Sequence, residues 1–375
     1  MQPIEDTSGF SAMSDSPFFD HGPRRHVDGD FSAEELALAN RNSGIALEIM
    51  RHDVTPAGMH YLLIHFDIPH LDAETWRLDV SGNVNAPLSI SLADLASLPQ
   101  RTLPVTLECA GNGRAALNPR YQSMPWRHEA VGTAEWTGTP LRHILERAGL
   151  GDGATEIAFL GADRGFAGGV EHNFGWSLAP DEALRDDVLL CTAMNGAPLL
   201  PQHGFPLRLI VPGWYGMASV KWLTDIMVLD LPFDGYQKTT AYKFRRDKDD
   251  PGEPIEFIRV KSLMIPPGMP DWFTRQRLVE QGPVELAGRA WSGAGAAITK
   301  VEISVDDDWF EATLEPRHNR FAWTKWCHTW HATPGDHVLK CRATDANGDV
   351  QPLAPRWDNS GYGNNAAQVV PVTVR

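Results

Sequence analysis

Cys109 ends a run in which Val105, Leu107 and Cys109 alternate with Thr106 and Glu108, and Ala110, Gly111, Asn112, Gly113 and Arg114 follow it. Alternation is the period of a strand, and Gly-Asn-Gly breaks it into a loop. A thiol is thereby offered at a strand end beside a guanidinium. A thiolate there could act as a nucleophile or as a soft metal ligand; the competing reading is a small apolar core residue. Downstream, His203-Gly204-Phe205-Pro206-Leu207-Arg208 runs into Val211-Pro212-Gly213, and Ser219-Val220-Lys221 precedes Tyr242. Arg208 and Lys221 carry the charge to pair with a phosphate. Ser219 and the backbone N–H groups after Gly213 and Gly216 can donate to one. A tyrosine hydroxyl can hydrogen-bond an oxygen or relay a proton. Taken singly, Arg208 and Lys221 read as surface charges at strand ends, and Tyr242 as a core residue.

The elements that must position these groups are legible in part. Ser32 and Glu35 form a capping-box pattern that starts a helix, which stops near Asn42-Ser43-Gly44. Tyr61 to Phe66 reads as a buried strand. Leu141 to Arg147 reads as a helix, with Thr139 as its cap, Pro140 in its first turn and Gly149 past its end. Leu207 to Val211 reads as a strand closed by Pro212-Gly213. From Tyr242 to Pro270, charge runs and Pro/Gly clusters read as a connector. Beyond it Val301, Ile303 and Val305 alternate with polar neighbours, as do Leu339, Cys341 and Ala343, and Asn347-Gly348 is a hairpin turn signal. Short alternating runs between turns imply a β-sandwich. The Trp323 to Trp330 segment suits either a sandwich core or an interface.

Composition excludes some functions. The 375 residues carry a formal charge of −15, which disfavours nucleic acid and anionic membranes as partners. No window approaches the apolar length of a membrane span. Residues 1–31 are acidic and polar and read as a mobile N-terminal arm; Arg24-Arg25 lacks the apolar stretch of an export signal. The expected location is therefore cytoplasmic, or periplasmic if an export signal has been removed. The four cysteines form neither Cys-x-x-Cys nor Cys-x-x-Cys-His, so zinc ribbon, iron–sulfur and covalent haem motifs are not indicated. A disulfide between Cys327 and Cys341 stays open at this stage.

The Cys-Ala-Gly-Asn-x-Arg segment resembles the molybdenum-binding cysteine segment of the sulfite oxidase family, usually Cys-Ala-Gly-Asn-Arg-Arg. The His203–Arg208 and Ser219–Lys221 segments and Tyr242 resemble further family segments in the same order, and the likeness spans about Arg51 to Trp357. The resemblance implies an α+β chain: a mixed α/β molybdopterin-binding domain over 32–250, then an immunoglobulin-like β-sandwich dimerisation domain over 251–375. It implies one molybdenum ion on molybdopterin with Cys109 as ligand, and neither haem nor flavin. Arg51, His52, Asp163, His203, Arg208, Ser219, Val220 and Lys221 match cofactor-contacting positions. Arg51, Arg114, Trp126 and Tyr242 match the substrate site, with Tyr242, Arg114 and Arg51 as catalytic residues.

The implied activity is two-electron oxidation of sulfite to sulfate by a homodimer, with electrons passed to oxygen or an external cytochrome. An anionic substrate approaching a chain of charge −15 requires a locally basic pocket. Two departures bear on substrate. Gly113 stands where the usual motif has its first arginine, and Ser360 where related chains place an arginine in a Trp-Asn-x-Arg-Gly segment. The rivals are a reductase of sulfoxides or other oxyanions on the same cofactor, and a non-catalytic scaffold of the same fold.

Overall fold

The computed structural model describes residues 26–27 and 31–375 apart from His318, so most of the expected arm over 1–31 lies outside the described residues. Two sheets build the first unit. One places Ala197–Pro198, Leu189–Met194, Val131–Pro140 and Arg101–Glu108 side by side, with Arg208–Ile210 also pairing to Leu189–Met194, all antiparallel. The other runs Leu88–Ile90, Leu78–Gly82, Leu223–Leu229, Glu156–Ala167, Val170–Leu178, with one parallel pair between Leu78–Gly82 and Leu223–Leu229. Val105 and Leu107 are fully buried in the strand Arg101–Glu108, which delivers Cys109 at its end as alternation predicts.

Helix Ala33–Arg41 begins at Ser32, whose hydroxyl accepts the Glu35 N–H while the Glu35 carboxylate accepts the Ser32 N–H. Glu35 is also fully buried against Arg120 at 2.8 Å, so one side chain caps the helix and fixes it to the domain. Helix Leu141–Ala148 forms where the apolar spacing places it, with Leu141, Ile144 and Leu145 fully buried. Thr139 is not its cap. It lies within the strand Val131–Pro140, and its hydroxyl donates to the Leu95 carbonyl. Tyr61 to Phe66 is not a strand either. Only Leu62 bridges to Ser43, and the segment instead lies along a cavity wall.

The second unit is a β-sandwich. Lys261–Ile265, Gly282–Trp291, Thr324–Ala332 and Thr313–Leu314 form one sheet; the six-stranded sheet is centred on Gln368–Val374, Gly335–Asp345 and Ile298–Val305. Met264, Leu286, Trp326 and Trp330 from the first sheet meet Val301, Ile303, Leu339, Cys341 and Ala343 from the second in one core. The Trp-rich segment is thus largely core, with Trp323 donating to the Asp53 carbonyl across the junction. The architecture is α+β with an immunoglobulin-like second unit, as expected. Three details differ from expectation. The sandwich's first strand, Lys261–Ile265, lies inside the segment read as a connector, because its charged and polar ends Lys261 and Ser262 are themselves buried. Asn347-Gly348 makes a turn, but only a single bridge, Thr344 to Val350, follows before the chain leaves the sheet. Cys327 and Cys341 are both free thiols, on strands of opposite sheets.

The two units are joined through buried charge. Lys261 Nζ lies 2.8 Å from Glu108 Oε1, and both side chains are almost wholly buried. Trp291 donates to the other Glu108 oxygen at 2.9 Å. Breaking such a pair strands the remaining charge. Lys261→Met should therefore lower the unfolding free energy by about 3–5 kcal/mol, read by chemical denaturation, and adding Glu108→Gln should recover part of that loss.

Candidate active site

The residue after Glu108 is Cys109, so the interdomain pair fixes the strand end that carries the thiol. The loop beyond is tied down by Asn112. Its amide donates to Glu108 Oε1 at 2.9 Å and to the His128 carbonyl, and its side-chain oxygen accepts the Ala130 N–H. Gly113 is a conformational requirement: its φ is +92°, and a Cβ there would meet the Asn364 carbonyl oxygen at 2.9 Å. Asn364 donates in turn to the Gly113 carbonyl at 2.8 Å, and the Gly363 N–H donates to the Ala110 carbonyl. A segment of the second unit thus closes over the cysteine loop.

Cys109 opens on a cavity of about 660 Å³. Of the residues singled out in the sequence, Asp163, His203, Arg208, Ser219, Lys221 and Tyr242 line the same cavity. They arrive on four segments: the long strand Glu156–Ala167, the turn at Pro201–His203, the strand Arg208–Ile210 with the turn before Leu223, and the turn ending at Tyr242. Arg208 donates to the His203 carbonyl at 3.0 Å and the Ser219 carbonyl at 3.2 Å, and its guanidinium sits 4.6 Å from the centre of the Trp136 ring. Lys221 Nζ donates to the Leu63 carbonyl at 2.8 Å and lies 4.2 Å from the centre of the Trp222 ring. The Ser219 hydroxyl accepts the Val211 N–H.

Five expected residues do not line it. Arg51 and His52 are exposed at the end of the turn Leu47–Arg51, which docks on the sandwich: the Arg51 carbonyl accepts from Arg289, and Glu48 pairs with Arg277. Leu62, Leu63 and His65 line the wall instead. Val220 faces the core, and its carbonyl accepts the Leu209 N–H. Trp126 lies behind the thiol in a small apolar cluster with Met124 and Ala130. Arg114 is also behind the wall, almost wholly buried, donating to the Met124 carbonyl and facing the Tyr362 ring at 5.0 Å and the Tyr121 ring at 5.9 Å. Ser360 is buried on the same segment as Tyr362.

The sequence reading missed His60, Tyr61 and His65 on the wall. Two histidines within an apolar stretch were the available signal. His65 Nε2 and the Tyr242 hydroxyl lie 2.6 Å apart, which joins two residues separated by 177 positions.

Burial shapes the charges. It pushes the Cys109 thiol above its ordinary value, opposed by the Arg114 charge, the Gly111 N–H and the Trp126 indole. Burial brings Lys221 down to about 7, with Arg208 acting in the same direction and Asp163 against it. Burial likewise raises Asp163 to about 6 and lowers Arg208 to about 10. His203 falls to about 3 through burial, His60 and Arg208, and burial takes His60 to about 4. Arg208 Nε and His60 Nε2 are buried without a hydrogen-bond partner. Asp163 is the single carboxylate among the lining residues against the two buried cations, and a further anionic group would satisfy the orphaned Arg208 nitrogen. The donor set fits molybdopterin on that ground: a thiol for the metal, and Arg208 and Lys221 for a phosphate.

Residues 65–237 match the oxidoreductase molybdopterin binding domain, and residues 253–375 match the Mo-co oxidoreductase dimerisation domain. Rat mitochondrial sulfite oxidase is 34% identical over 347 residues, covering 85% of this chain and 62% of the rat protein. Nitrate reductase [NADH] 1 of rice is 31% identical over 357 residues, covering 87% of this chain and 39% of its own length. The sulfane dehydrogenase SoxCD of Paracoccus pantotrophus superposes with a TM-score of 0.77 at 25% identity, covering 100% of this chain and 95% of the other. The cysteine at a strand end, the cationic cavity beside it and the sandwich behind it define a molybdopterin oxidoreductase. The chain belongs to the sulfite oxidase family of these enzymes.

Lys221 sets a pH test. With Asp163 beside it, burial holds it at about 7, and a bound phosphate further favours its charged form. Cofactor capture by the apoprotein should therefore take up a proton and tighten as pH falls from about 9 toward 7. Fluorescence titration of the apoprotein over that range would show it, and Lys221→Met should flatten the profile.

Proposed function

We propose that this chain oxidises sulfite to sulfate at a single molybdenum held by Cys109 and one molybdopterin. The observation that carries this reading is the Cys109 thiol sharing one cavity with the buried cations Arg208 and Lys221, with Arg208 Nε left without a hydrogen-bond partner. When bound, the molybdenum group supplies two-electron oxygen-atom transfer; the protein supplies position, charge and proton handling. Arg208, Lys221, His203 and Ser219 hold the phosphate and pterin, with Asp163 beside Lys221. Arg51 and His52 have no part in this arrangement, and Arg114 acts on the site as a buried charge behind the thiol.

Tyr242 and His65 form the proton-handling pair. Burial keeps Tyr242 against Trp176 and Tyr362, whose rings lie 6.1 Å and 5.2 Å away. Its hydroxyl can hold a proton for an oxyanion at the cavity mouth and return it through His65. Electrons leave to oxygen or to an external cytochrome, and the C-terminal unit makes a homodimer. The sandwich matches a dimerisation domain, which supports the latter.

One observation favours a second reading, oxidation of a sulfane sulfur. Arg51 does not line the cavity, and Ser360 stands where the resemblance implied a further cation. One structural likeness over the whole chain is to a sulfane dehydrogenase. Nitrate reduction has support from sequence relatives alone.

Purified protein from cells that make molybdopterin should contain about one molybdenum per chain and reduce ferricyanide with sulfite. Cys109→Ser should abolish metal retention. Tyr242→Phe should retain the metal and lose about a hundredfold in kcat, the usual scale for a proton-transfer group. Metal retention with turnover of a persulfide donor alone would move the assignment to the second reading.

A further inference from the structure

A second cavity, of about 410 Å³, shares no lining residue with the first. Four arginines meet there: Arg245, Arg246, Arg259 and Arg356. Such convergence stands out in a chain of formal charge −15. Guanidinium forks suit oxyanions because each offers paired N–H donors in one plane.

The donors are largely uncommitted. Arg245 spends one nitrogen on the Thr240 carbonyl, and Arg259 one on the Gly363 carbonyl while covering the Phe244 ring at 4.1 Å. Arg356 makes no hydrogen bond or ion pair among the described residues. Three acids, Asp250, Glu253 and Asp358, share the lining and offset part of this charge, but their direct hydrogen bonds go mainly to backbone N–H groups. The Asp358 carboxylate accepts three backbone N–H groups, from Arg245, Ser360 and Tyr362, at 2.7–3.0 Å. Asp250 accepts the backbone N–H groups of Arg246 and Gly252, and its one guanidinium contact is Arg246 Nε at 3.5 Å. Glu253 stands exposed at the rim and opposes an anion there.

This cavity backs on the catalytic wall. Phe244 and Arg245 follow Tyr242 directly in the chain. Asp358 holds the backbone of Ser360 and Tyr362, and the Tyr362 ring lies against both Tyr242 and Arg114. We propose that the cavity is a second binding site, for a small tetrahedral oxyanion such as sulfate. There an anion waits outside the catalytic pocket against the segment that carries Tyr362. The ligand class follows from the arginines; that the anion is the reaction product rests on the sulfite reading above.

The experiment uses the molybdenum-loaded full chain and inorganic sulfate. Isothermal titration at constant ionic strength compares it with the double variant Arg246→Gln/Arg356→Gln, two exposed residues whose replacement leaves the fold and the sulfate-free kcat unchanged. Loss of the two forks should weaken sulfate binding by about tenfold or more, and Glu253→Gln alone should strengthen it. Equal sulfate affinity in the double variant and the parent, or no sulfate binding by the parent, would overturn the site. Sulfite turnover is scored separately. Arginine-dependent sulfate binding without sulfite turnover keeps the oxyanion site and removes the sulfite reading; turnover with arginine-independent binding does the reverse.

Discussion

The buried pair of Glu108 and Lys261 is the constraint on which the rest of the site depends. Glu108 sits one residue before Cys109, and its two oxygens are claimed by Lys261 and Asn112 on one side and by Trp291 on the other. Two of these three donors come from the sandwich. A carboxylate taken out of water is tolerable only when its lone pairs are filled, so the strand end adopts one position only when the second unit is docked. The sandwich is therefore part of the active-site scaffold as well as the unit that matches a dimerisation domain.

On the cavity side the electrostatics run the other way. There the protein buries two cations, Arg208 and Lys221, with Asp163 as the one acid among the lining residues. Arg208 leans on carbonyls and on the Trp136 ring, and Lys221 on two carbonyls and the Trp222 ring. Carbonyl dipoles and aromatic faces hold a cation in place but leave its charge largely uncancelled. That is why burial lowers Lys221 to about 7, and why an anionic cofactor would restore what the fold gives up. The folded chain spends stability on a site that a ligand completes.

The two departures from the usual family sequence have different standing in the structure. Gly113 is dictated by backbone geometry, since its positive φ and the closeness of Asn364 leave no room for a side chain. It says nothing about substrate. Ser360 belongs to a segment whose backbone is organised by Asp358 and whose aromatic residue, Tyr362, covers Arg114. That replacement leaves the segment against Arg114 without the cation that the family resemblance implied.

The sequence by itself determined what depends on neighbours along the chain. Alternation ending in Gly-Asn-Gly placed Cys109 at a strand end, Ser32 and Glu35 set a helix start, and paired alternating runs made the sandwich, because period and capping are local. The resemblance supplied seven of the eighteen cavity-lining residues, in order. Tertiary structure decided what depends on packing between distant segments. Arg51 and His52 were drawn away to the sandwich junction by contacts with Arg289 and Arg277 made by their own turn, which no local pattern encodes. Tyr61 to Phe66, apolar enough to read as a strand, became a cavity wall because only Leu62 found a pairing partner. The meeting of His65 with Tyr242, and of four arginines behind it, arises only when strands and loops far apart in sequence close on one another.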